Sequence, residues 1–418
     1  MKRFILLFIL AQLLVACGGD DNSVVFSVFG DPPEFAAYEE LVAVFEEQNP
    51  DIDIELTHIP GQSEYRRRLA ADFSAGSPPD VFLLNYRRFA TFADQGGLEP
   101  LTNYVDQSDL IDLNDFYPIA VDSFQLDGDL WCVPQNISSL VVYYNKDLFD
   151  AAGVAYPADD WNRDDFLNAA RTLTQDTDGD GVTDQYGVGL SPNIFRLAPF
   201  IWQDGNEIVD DFDNPTRLTL DEPQNMETFQ WFVDLQVKEE VVPSALAESA
   251  EPSQSRFLNG SLAMIFNSRR GVPLYRTIND FDWDIAPLPR GEQAAGILHS
   301  DGYCMANRTA NKDAAWRFIE FANSVEGQNV IVMSGRTVPS RIAVAESDAF
   351  LDPNTHPANS RVYVDTVGIL GRVPTMTTWV NIEETASKEI ERAFYGDATV
   401  EEAAAAAVER TQEFFERD

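Results

Sequence analysis

The hydrophobic pattern of the first hundred residues alternates between strand and helix signatures. Residues 24–29 are β-branched and aromatic and run into the turn 30–33, which predicts a strand. Apolar residues recur at helical spacing through 35–48, where Asn49-Pro50 ends the pattern. Further strands are predicted at 52–59 and 80–84, and further helices at 63–75 and 89–95. Strands interleaved with helices at this density indicate right-handed βαβ units and a largely parallel sheet.

The same alternation returns after residue 130. Strands are predicted at 140–144, 262–266, 285–288 and 302–306, and helices at 161–173 and 312–323. The chain is rich in helix from Thr385 onward. No repeat of fixed period is present, which excludes solenoids and propellers. Because no linker rich in Gly, Pro and Ser divides the 418 residues, we expect two α/β domains joined by several chain crossings.

The charge balance is strongly acidic. The chain has 69 Asp and Glu against 29 Lys and Arg, a formal charge of −40. This field repels nucleic acid and anionic lipid, so nucleic-acid binding is excluded as a function. It also disfavours a polyanionic substrate, although a local pocket can override the global field.

The N-terminus has the order of a secretory signal. Lys2 and Arg3 precede an apolar run over 4–15, and small residues then lead to Cys17. The run is about 12 residues long, whereas a membrane span needs roughly 20. The pattern resembles a bacterial lipobox, which implies that 1–17 is a lipoprotein signal peptide with Cys17 as the lipidated residue. An ordinary signal peptide with an incidental cysteine is the alternative. The polar segment 18–23 is predicted to be a flexible tether.

Six short segments, in this order and spacing, carry a resemblance to a known family. They are residues 45–50 (FEEQNP), 74–81 (SAGSPPDV), 93–101 (ADQGGLEPL), 142–149 (VYYNKDLF), 257–264 (FLNGSLAM) and 399–403 (TVEEA). The chain resembles the family 1 extracellular solute-binding proteins of ABC importers, whose best-known members bind maltose and other sugars. The resemblance implies an α/β fold of the class II periplasmic-binding-protein type, with two doubly wound domains joined by hinge strands.

By the same resemblance, the N-terminal lobe takes 23–132 plus 304–338, and the C-terminal lobe takes 135–302 plus 345–418. The hinge strands would run near 133–139 and 300–305, and the lobes would close on a ligand. Apart from Cys17, the chain has Cys132 and Cys304, an even pair that permits a disulfide in an oxidising compartment. Two buried free thiols are the alternative. Both cysteines fall beside the implied hinge, where a disulfide would limit closure.

Candidate ligand-binding residues follow from the rule that ligands of open parallel sheets sit beyond the carboxyl ends of strands. Carboxylates, amides and guanidinium groups suit the paired hydroxyls of a polyol, and aromatic rings suit the apolar face of a sugar ring. The rule selects eleven residues: Phe29, Gly30, Asp31, Glu34, Asn85, Tyr86, Arg87, Asn267, Ser268, Arg269 and Arg270.

The resemblance adds Ser138 in the hinge, Asn193, Phe195, and Trp379 in a loop ahead of the last helices. Ser138 stands where the maltose-type pattern has a carboxylate, and Arg270 where it has an aromatic residue, so maltose itself is not expected. The alternatives are that Phe29 and Trp379 belong to the core and that Arg269 and Arg270 only pair with surface acids.

Residues 176–184 resemble the first part of a calcium loop. Asp176, Asp178, Asp180 and Asp184 occupy ligand positions, and the Val182 carbonyl is available between them. The twelfth position is Gly187 rather than Glu, so another segment would have to complete the shell. The alternative is an Asx-rich surface turn whose aspartates cap backbone amides. The sequence therefore allows a structural calcium ion at this loop, and it requires no cofactor.

The sequence contains no catalytic constellation. Its three histidines, His58, His299 and His356, lack metal-ligand spacing, and neither a P-loop nor a G-x-S-x-G motif is present. We expect a monomeric, non-enzymatic lipoprotein outside the cytoplasm, anchored by lipid to a bacterial membrane on the periplasmic side or at the cell surface. It would capture a neutral mono- or oligosaccharide for an ABC permease with a separate ATPase. The alternatives are a binder of a cationic solute such as a polyamine, or a secreted glycan hydrolase.

Overall fold

The computed structural model describes residues 22–417. The signal segment 1–17, with Cys17, and the tether up to residue 21 lie outside the described residues. The strands of the described chain are β1 (Ser23–Phe29), β2 (Asp53–Ile59), β3 (Val81–Asn85), β4 (Gln125–Leu126), β5 (Asp129–Leu130), β6 (Cys132–Pro134), β7 (Val141–Asn145), β8 (Tyr186–Gly189), β9 (Leu262–Asn267), β10 (Trp283–Ala286), β11 (Gly296–Ile297), β12 (Asp301–Met305) and β13 (Leu370–Gly371).

The α-helices of the same residues are α1 (Pro32–Gln48), α2 (Gln62–Ala75), α3 (Phe89–Asp94), α4 (Thr102–Val105), α5 (Pro118–Asp122), α6 (Lys146–Ala152), α7 (Arg163–Leu173), α8 (Ile194–Gln203), α9 (Pro223–Val237), α10 (Ala245–Ala250), α11 (Ser253–Leu258), α12 (Val272–Tyr275), α13 (Lys312–Ala322), α14 (Val325–Val332), α15 (Ile342–Ala345), α16 (Arg361–Asp365), α17 (Trp379–Phe394) and α18 (Val400–Phe415). Within 22–417, no helix is both long enough and apolar enough to cross a membrane.

The first sheet has five strands in the order β2-β1-β3-β12-β6. β1 pairs in parallel with β2 and β3, as the βαβ pattern predicts. β12 runs antiparallel to both of its neighbours because the chain enters it from the second lobe. Helices α1 and α13 pack on this sheet, where Phe26 contacts the rings of Tyr38, Tyr303 and Phe318. The expectation of a largely parallel sheet therefore holds for β1–β3 and is wrong for β12.

The second sheet has four strands in the order β10-β7-β9-β8. β8 and β9 are parallel, and β7 is antiparallel to both β9 and β10. β7 is the strand that the chain reaches directly from the first lobe, so it is reversed as β12 is in the other sheet. Helices α8, α9, α17 and α18 pack together beside this sheet. Two sheets, each covered by helices and joined by crossing strands, make a two-lobed α/β protein, as the resemblance implied.

Several segments cross between the sheets side by side. Ser138 pairs with His299, and Asn136 pairs with Pro339, in isolated antiparallel bridges. The Ser300 hydroxyl donates to the Asn136 carbonyl at 2.7 Å. These contacts join the crossing segments into one connected strip below the cleft between the lobes. β12 begins at Asp301, inside the range predicted for the C-terminal lobe, and the lobe boundaries stay a prediction.

Cys132 and Cys304 form a disulfide. They are register partners on β6 and β12, with their Cα atoms 4.3 Å apart, and both side chains are fully buried. The predicted disulfide is thus confirmed. Both strands belong to the first sheet, so the bond ties two strands of one lobe together. It does not link one lobe to the other, and an effect of the bond on closure stays a prediction.

Candidate functional site

A cavity of about 560 Å³ lies between the two lobes, above the crossing segments. From the first lobe it is lined by Phe29, Glu34, Gln62, Arg66, Asn85 and Arg87. The crossing segments and the loop after α14 contribute Asn136, Ser138, His299, Asp301, Arg336 and Thr337. The second lobe contributes Asn193, Phe195, Arg196, Asn267, Ser268, Arg270, Glu383, Glu384, Ser387 and Lys388.

The structure brings together most of the residues predicted from the sequence. Ten of them line this one cavity: Phe29, Glu34, Asn85, Arg87, Ser138, Asn193, Phe195, Asn267, Ser268 and Arg270. They meet because β1 and β3 end at one edge of the first sheet, and β9 ends at the facing edge of the second. The rule about the carboxyl ends of strands therefore selected residues of both lobes that line one cavity, and their contact with a ligand stays a prediction.

Asp31 and Tyr86 do not line the cavity. The Asp31 carboxylate caps α1 by accepting from the Glu34 amide, and it lies 3.1 Å from Arg336 Nη1. Tyr86 is buried, and its hydroxyl accepts from the Val373 amide at 3.4 Å. Asp31 therefore acts on the site through Arg336, and Tyr86 belongs to the core. Both residues follow strands as predicted, but their side chains turn away from the cleft.

Arg269 and Trp379 also lie outside the cavity lining. Arg269 is 2% exposed, with its guanidinium 4.2 Å from the Phe350 ring and 5.1 Å from the Tyr363 ring. Its Nη1 donates to the Ser360 hydroxyl at 3.3 Å. Trp379 is fully buried at the first position of α17, not in a loop ahead of it. Packing of the second lobe, rather than ligand contact, accounts for both side chains.

The sequence reading missed the cavity residues that lie on helices and crossing segments. These are Gln62, Arg66, Asn136, Arg196, His299, Asp301, Arg336, Thr337, Glu383, Glu384, Ser387 and Lys388. Four of them lie on α17, and their spacing of one, three and four residues puts them on one face of that helix. This spacing was visible in the sequence, but nothing in it indicated that this face meets the cleft.

Direct contacts join the two lobes across the cleft. Arg87, which follows β3, lies 2.5 Å from a carboxylate oxygen of Glu383 on α17. The same guanidinium lies 3.8 Å above the ring of Phe195, on α8. Beside this pair, the Thr91 hydroxyl donates to the Thr377 carbonyl at 2.6 Å. Arg87 is therefore a first-lobe residue held by two second-lobe helices, as expected for a closed arrangement of the lobes.

Glu34 and Arg336 form a buried pair at the base of the cleft. Arg336 Nε lies 2.6 Å from Glu34 Oε2, and both side chains are 5% exposed. Burial raises the pKa of Glu34 to about 8, although Arg336 opposes that shift. Gly30 makes room for the carboxylate: its φ is +142°, and a Cβ there would come 1.8 Å from Glu34 Oε2.

The remaining cations of the cleft raise its positive potential. The pKa of Arg66 is lowered to about 10 by burial and by the nearby Arg88 and Arg87. Burial and Arg87 likewise lower the pKa of Arg196 to about 10. Burial, followed by the arginines around it, holds the pKa of His299 well below its ordinary value, so this imidazole is neutral at pH 7.

The acidic loop at 176–184 lies apart from this cleft. Carboxylate oxygens of Asp176, Asp178 and Asp184 lie within 4.8 Å of one another. The Asp180 carboxylate instead accepts from the Val182 amide at 2.8 Å, outside that group. Asp176 also accepts from two loop amides, as an Asx-rich turn does without a metal. Three of the predicted calcium ligands therefore converge, and calcium binding stays a prediction.

The fold and the interlobe cavity define a two-lobed binding protein, and comparison with known proteins identifies the family. A profile of the bacterial extracellular solute-binding proteins matches residues 30–329. The chain belongs to this family.

Individual relatives agree with that assignment along most of the chain. The ABC substrate-binding protein Lmo0181 of Listeria monocytogenes, solved in complex with cycloalternan, superposes with a TM-score of 0.85 at 26% identity, covering 94% of this chain and 98% of that one. Maltose-bound MalE3 of T. maritima superposes with a TM-score of 0.79 at 22% identity, over 94% and 99% of the two chains. The maltotriose-binding protein of Pyrococcus abyssi is 24% identical over 301 residues, which are 69% of this chain and 60% of that protein.

Proposed function

We propose that this protein captures a mono- or oligosaccharide between its lobes and delivers it to the permease of an ABC importer. The observation that carries the proposal is the cavity of about 560 Å³, into which both lobes direct amide, carboxylate and guanidinium groups. These groups pair with vicinal hydroxyls, and Phe29 and Phe195 offer apolar surface to a sugar ring. The relatives whose ligands are named, cycloalternan, maltose and maltotriose, support a saccharide.

Closure of the lobes is the mechanistic step. A ligand that contacts both lobes makes part of its contacts only when the cleft is closed, so binding shifts the population toward the closed form. Arg87, Glu383 and Phe195 already connect the lobes in that form. The closed molecule would dock on a membrane permease, and a separate ATPase would supply the energy.

The positive cleft argues against the alternative of a cationic solute. Six lining residues are Lys or Arg and four are Asp or Glu, so a polyamine would meet a surplus of like charge. The relatives compared above are binding proteins, which supports a role without catalysis. Lipid attachment at Cys17 and retention at the outer face of a bacterial membrane complete the proposal.

Calorimetric titration against neutral sugars, anionic sugars and polyamines tests the ligand class, and small-angle scattering tests closure. We expect a saccharide to bind and to reduce the radius of gyration. Gln62→Ala in the first lobe and Asn267→Ala in the second should each weaken binding about 3- to 10-fold, the range for one lost hydrogen bond.

Gln107→Ala is the control for these two variants. Gln107 is an exposed first-lobe residue outside the cavity, and its side-chain amide donates to the carbonyl of Asn103, so the affinity should not change. Binding of polyamines alone would contradict the proposed ligand class. An unchanged radius of gyration at saturation would contradict the closing mechanism.

A further inference from the structure

The cleft carries an excess of positive charge on a strongly negative protein. The cations that line it are Arg66, Arg87, Arg196, Arg270, Arg336 and Lys388, and the carboxylates are Glu34, Asp301, Glu383 and Glu384. The whole chain has a formal charge of −40. A cationic cavity is therefore a local feature that opposes the average composition, and it requires an explanation of its own.

Most of the cleft carboxylates are already engaged by cations. Glu383 pairs with Arg87 at 2.5 Å and Glu34 with Arg336 at 2.6 Å, while Glu384 lies 4.0 Å from Arg88. Because the raised pKa of Glu34, about 8, keeps its carboxyl largely protonated at pH 7, these contacts leave little negative charge in the cleft for other cations.

Four other cations of the cleft have no such partner. Within residues 22–417, no carboxylate lies within 4.0 Å of a charged nitrogen of Arg66, Arg196, Arg270 or Lys388. The Nε of Arg196 is shielded from solvent and has no hydrogen-bond partner in the described chain. Arg270 Nη1 donates to the side-chain amide oxygen of Gln62 at 3.4 Å. Arg66 and Arg196 are half-buried, whereas Arg270 and Lys388 are exposed. Because half-buried guanidinium groups without a counter-charge are costly to the protein, Arg66 and Arg196 favour an anion as the missing partner.

The unpaired arginines come from opposite sides of the cleft. Arg66 lies on α2 of the first lobe, Arg196 on α8 of the second, and Arg270 directly after β9 of the second. Closing the lobes therefore brings like charges toward one another: after burial, the first-lobe Arg87 is what lowers the pKa of the second-lobe Arg196. An anion between them would turn that repulsion into attraction only in the closed form.

The cleft has little surface for stacking a neutral sugar. Among the described residues that line it, the aromatic rings are Phe29, Phe195 and His299, with no Trp or Tyr. One face of the Phe195 ring is covered by the Arg87 guanidinium at 3.8 Å. Hydrogen bonds and charge must therefore supply more of the recognition than ring stacking does.

We propose, building on the saccharide-binding function above, that the ligand is a sugar bearing an anionic oxygen group, bound between Arg66 of one lobe and Arg196 and Arg270 of the other. A carboxylate, as in a uronic acid, and a phosphate ester share this chemistry. The anion neutralises the cross-cleft repulsion, so the protein closes on acidic sugars in preference to neutral ones. The neutral saccharide predicted from the sequence is replaced by an acidic one.

Calorimetry with matched probes tests this proposal. The acidic probes are D-glucuronate, D-galacturonate and their di- and trisaccharides, the neutral probes are the corresponding glucose and galactose compounds, and glucose 6-phosphate represents the phosphate esters. We expect the best acidic probe to bind at least tenfold more tightly than its neutral counterpart. Comparing the affinities of the uronates with that of glucose 6-phosphate identifies whether the site binds a carboxylate or a phosphate ester.

Variants on both sides of the cleft test which arginines bind the anionic group of the ligand. Arg66→Gln and Arg196→Gln should each weaken acidic binding at least tenfold and neutral binding less than threefold, and Arg196→Lys should recover part of the loss. Arg67→Gln is the matched control, because Arg67 is an exposed neighbour on α2 outside the cavity. A thermal melt of each variant verifies that it is folded.

Each outcome has a distinct consequence. Neutral probes that bind as tightly as acidic ones would overturn the acidic-sugar inference and leave the saccharide function standing. Acidic preference that survives both arginine variants unchanged would overturn the assigned residues. Absence of binding to every saccharide would overturn the proposed function, and this inference with it.

Discussion

The ion pair between Arg87 and Glu383 offers a direct test of how the lobes are held together. The two side chains are 14% and 19% exposed and lie on opposite lobes, so the pair exists only when the cleft is closed. We expect Glu383→Gln, which removes the negative charge and keeps the shape, to shift the equilibrium toward the open form.

The size of the effect follows from the geometry. Unit charges about 4 Å apart interact by about 4 kcal/mol at an effective dielectric constant of about 20. Desolvation of two largely buried groups removes much of this, which leaves about 1–2 kcal/mol in favour of closure. Since about 1.4 kcal/mol corresponds to a factor of ten, the ratio of closed to open molecules should fall about 5- to 30-fold.

Titration with a neutral saccharide from the panel measures this shift, because the removed charge then does not act on the ligand itself. The apparent Kd should rise by the same factor, and scattering at a fixed subsaturating concentration should show a larger radius of gyration. Glu391→Gln is the control, since Glu391 is an exposed residue of α17 outside the cavity. Equal affinities for Glu383→Gln, Glu391→Gln and the parent protein would refute the reasoning.

Four further predictions concern stability and metal binding. Replacing both Cys132 and Cys304 by Ala, in a Cys17→Ala background, should lower the free energy of unfolding in urea by about 3–5 kcal/mol, because the bond closes a loop of 172 residues; a loss under about 1 kcal/mol would count against this. The pKa of Glu34 is raised to about 8 from an ordinary 4.5. Between pH 4.5 and about 8, the folded state therefore holds a proton on Glu34 that the unfolded state has released. Its stabilising effect is full below pH 4.5 and is lost as the pH rises through about 8. Glu34→Gln should therefore flatten the fall of the melting temperature between these pH values. Equal slopes of melting temperature against pH for the variant and the parent would disprove the pKa shift. Calcium should raise the melting temperature of the parent and not that of Asp178→Asn, with an equal response of both pointing to a plain surface turn. Arg269→Ala should destabilise the protein by about 2–4 kcal/mol in urea while leaving the ratio of acidic to neutral affinity unchanged, because this arginine packs in the core; a changed ratio would return it to the site.

Charge and closure are linked in this cleft. Arg66 of the first lobe lines the same cleft as Arg196 and Arg270 of the second. Of the two first-lobe arginines in the described lining, Arg66 and Arg87, only Arg87 forms an ion pair with a second-lobe carboxylate. The unpaired charge that remains in the cleft is therefore positive. Under the acidic-sugar proposal, this arrangement would disfavour cationic solutes by repulsion and favour anionic ones by closure, so one set of arginines would serve both selectivity and the conformational switch.

The sequence by itself determined the local structure and the family. Periods of two and of 3.6 residues placed β1, α1, β2, α2 and β3 within a few residues of their observed bounds, because these elements bury one face against a core. The ends of β1, β3 and β9 then supplied Phe29, Asn85 and Asn267 as site residues, since strand ends in such sheets meet at the cleft.

Only the tertiary structure decided which helix faces and crossing segments complete the site. Arg66, Arg196 and Lys388 lie far apart on three helices, and solvated surface charges look the same in a sequence as charges that line a cleft. It also decided that Trp379 and Arg269 pack in the core, whereas the family resemblance had placed Trp379, and the strand-end rule Arg269, at the ligand. The hydrophobic periodicity of a sequence shows which side of a helix or strand is apolar. The electrostatic potential of a cavity depends instead on which helices and strands face each other across it.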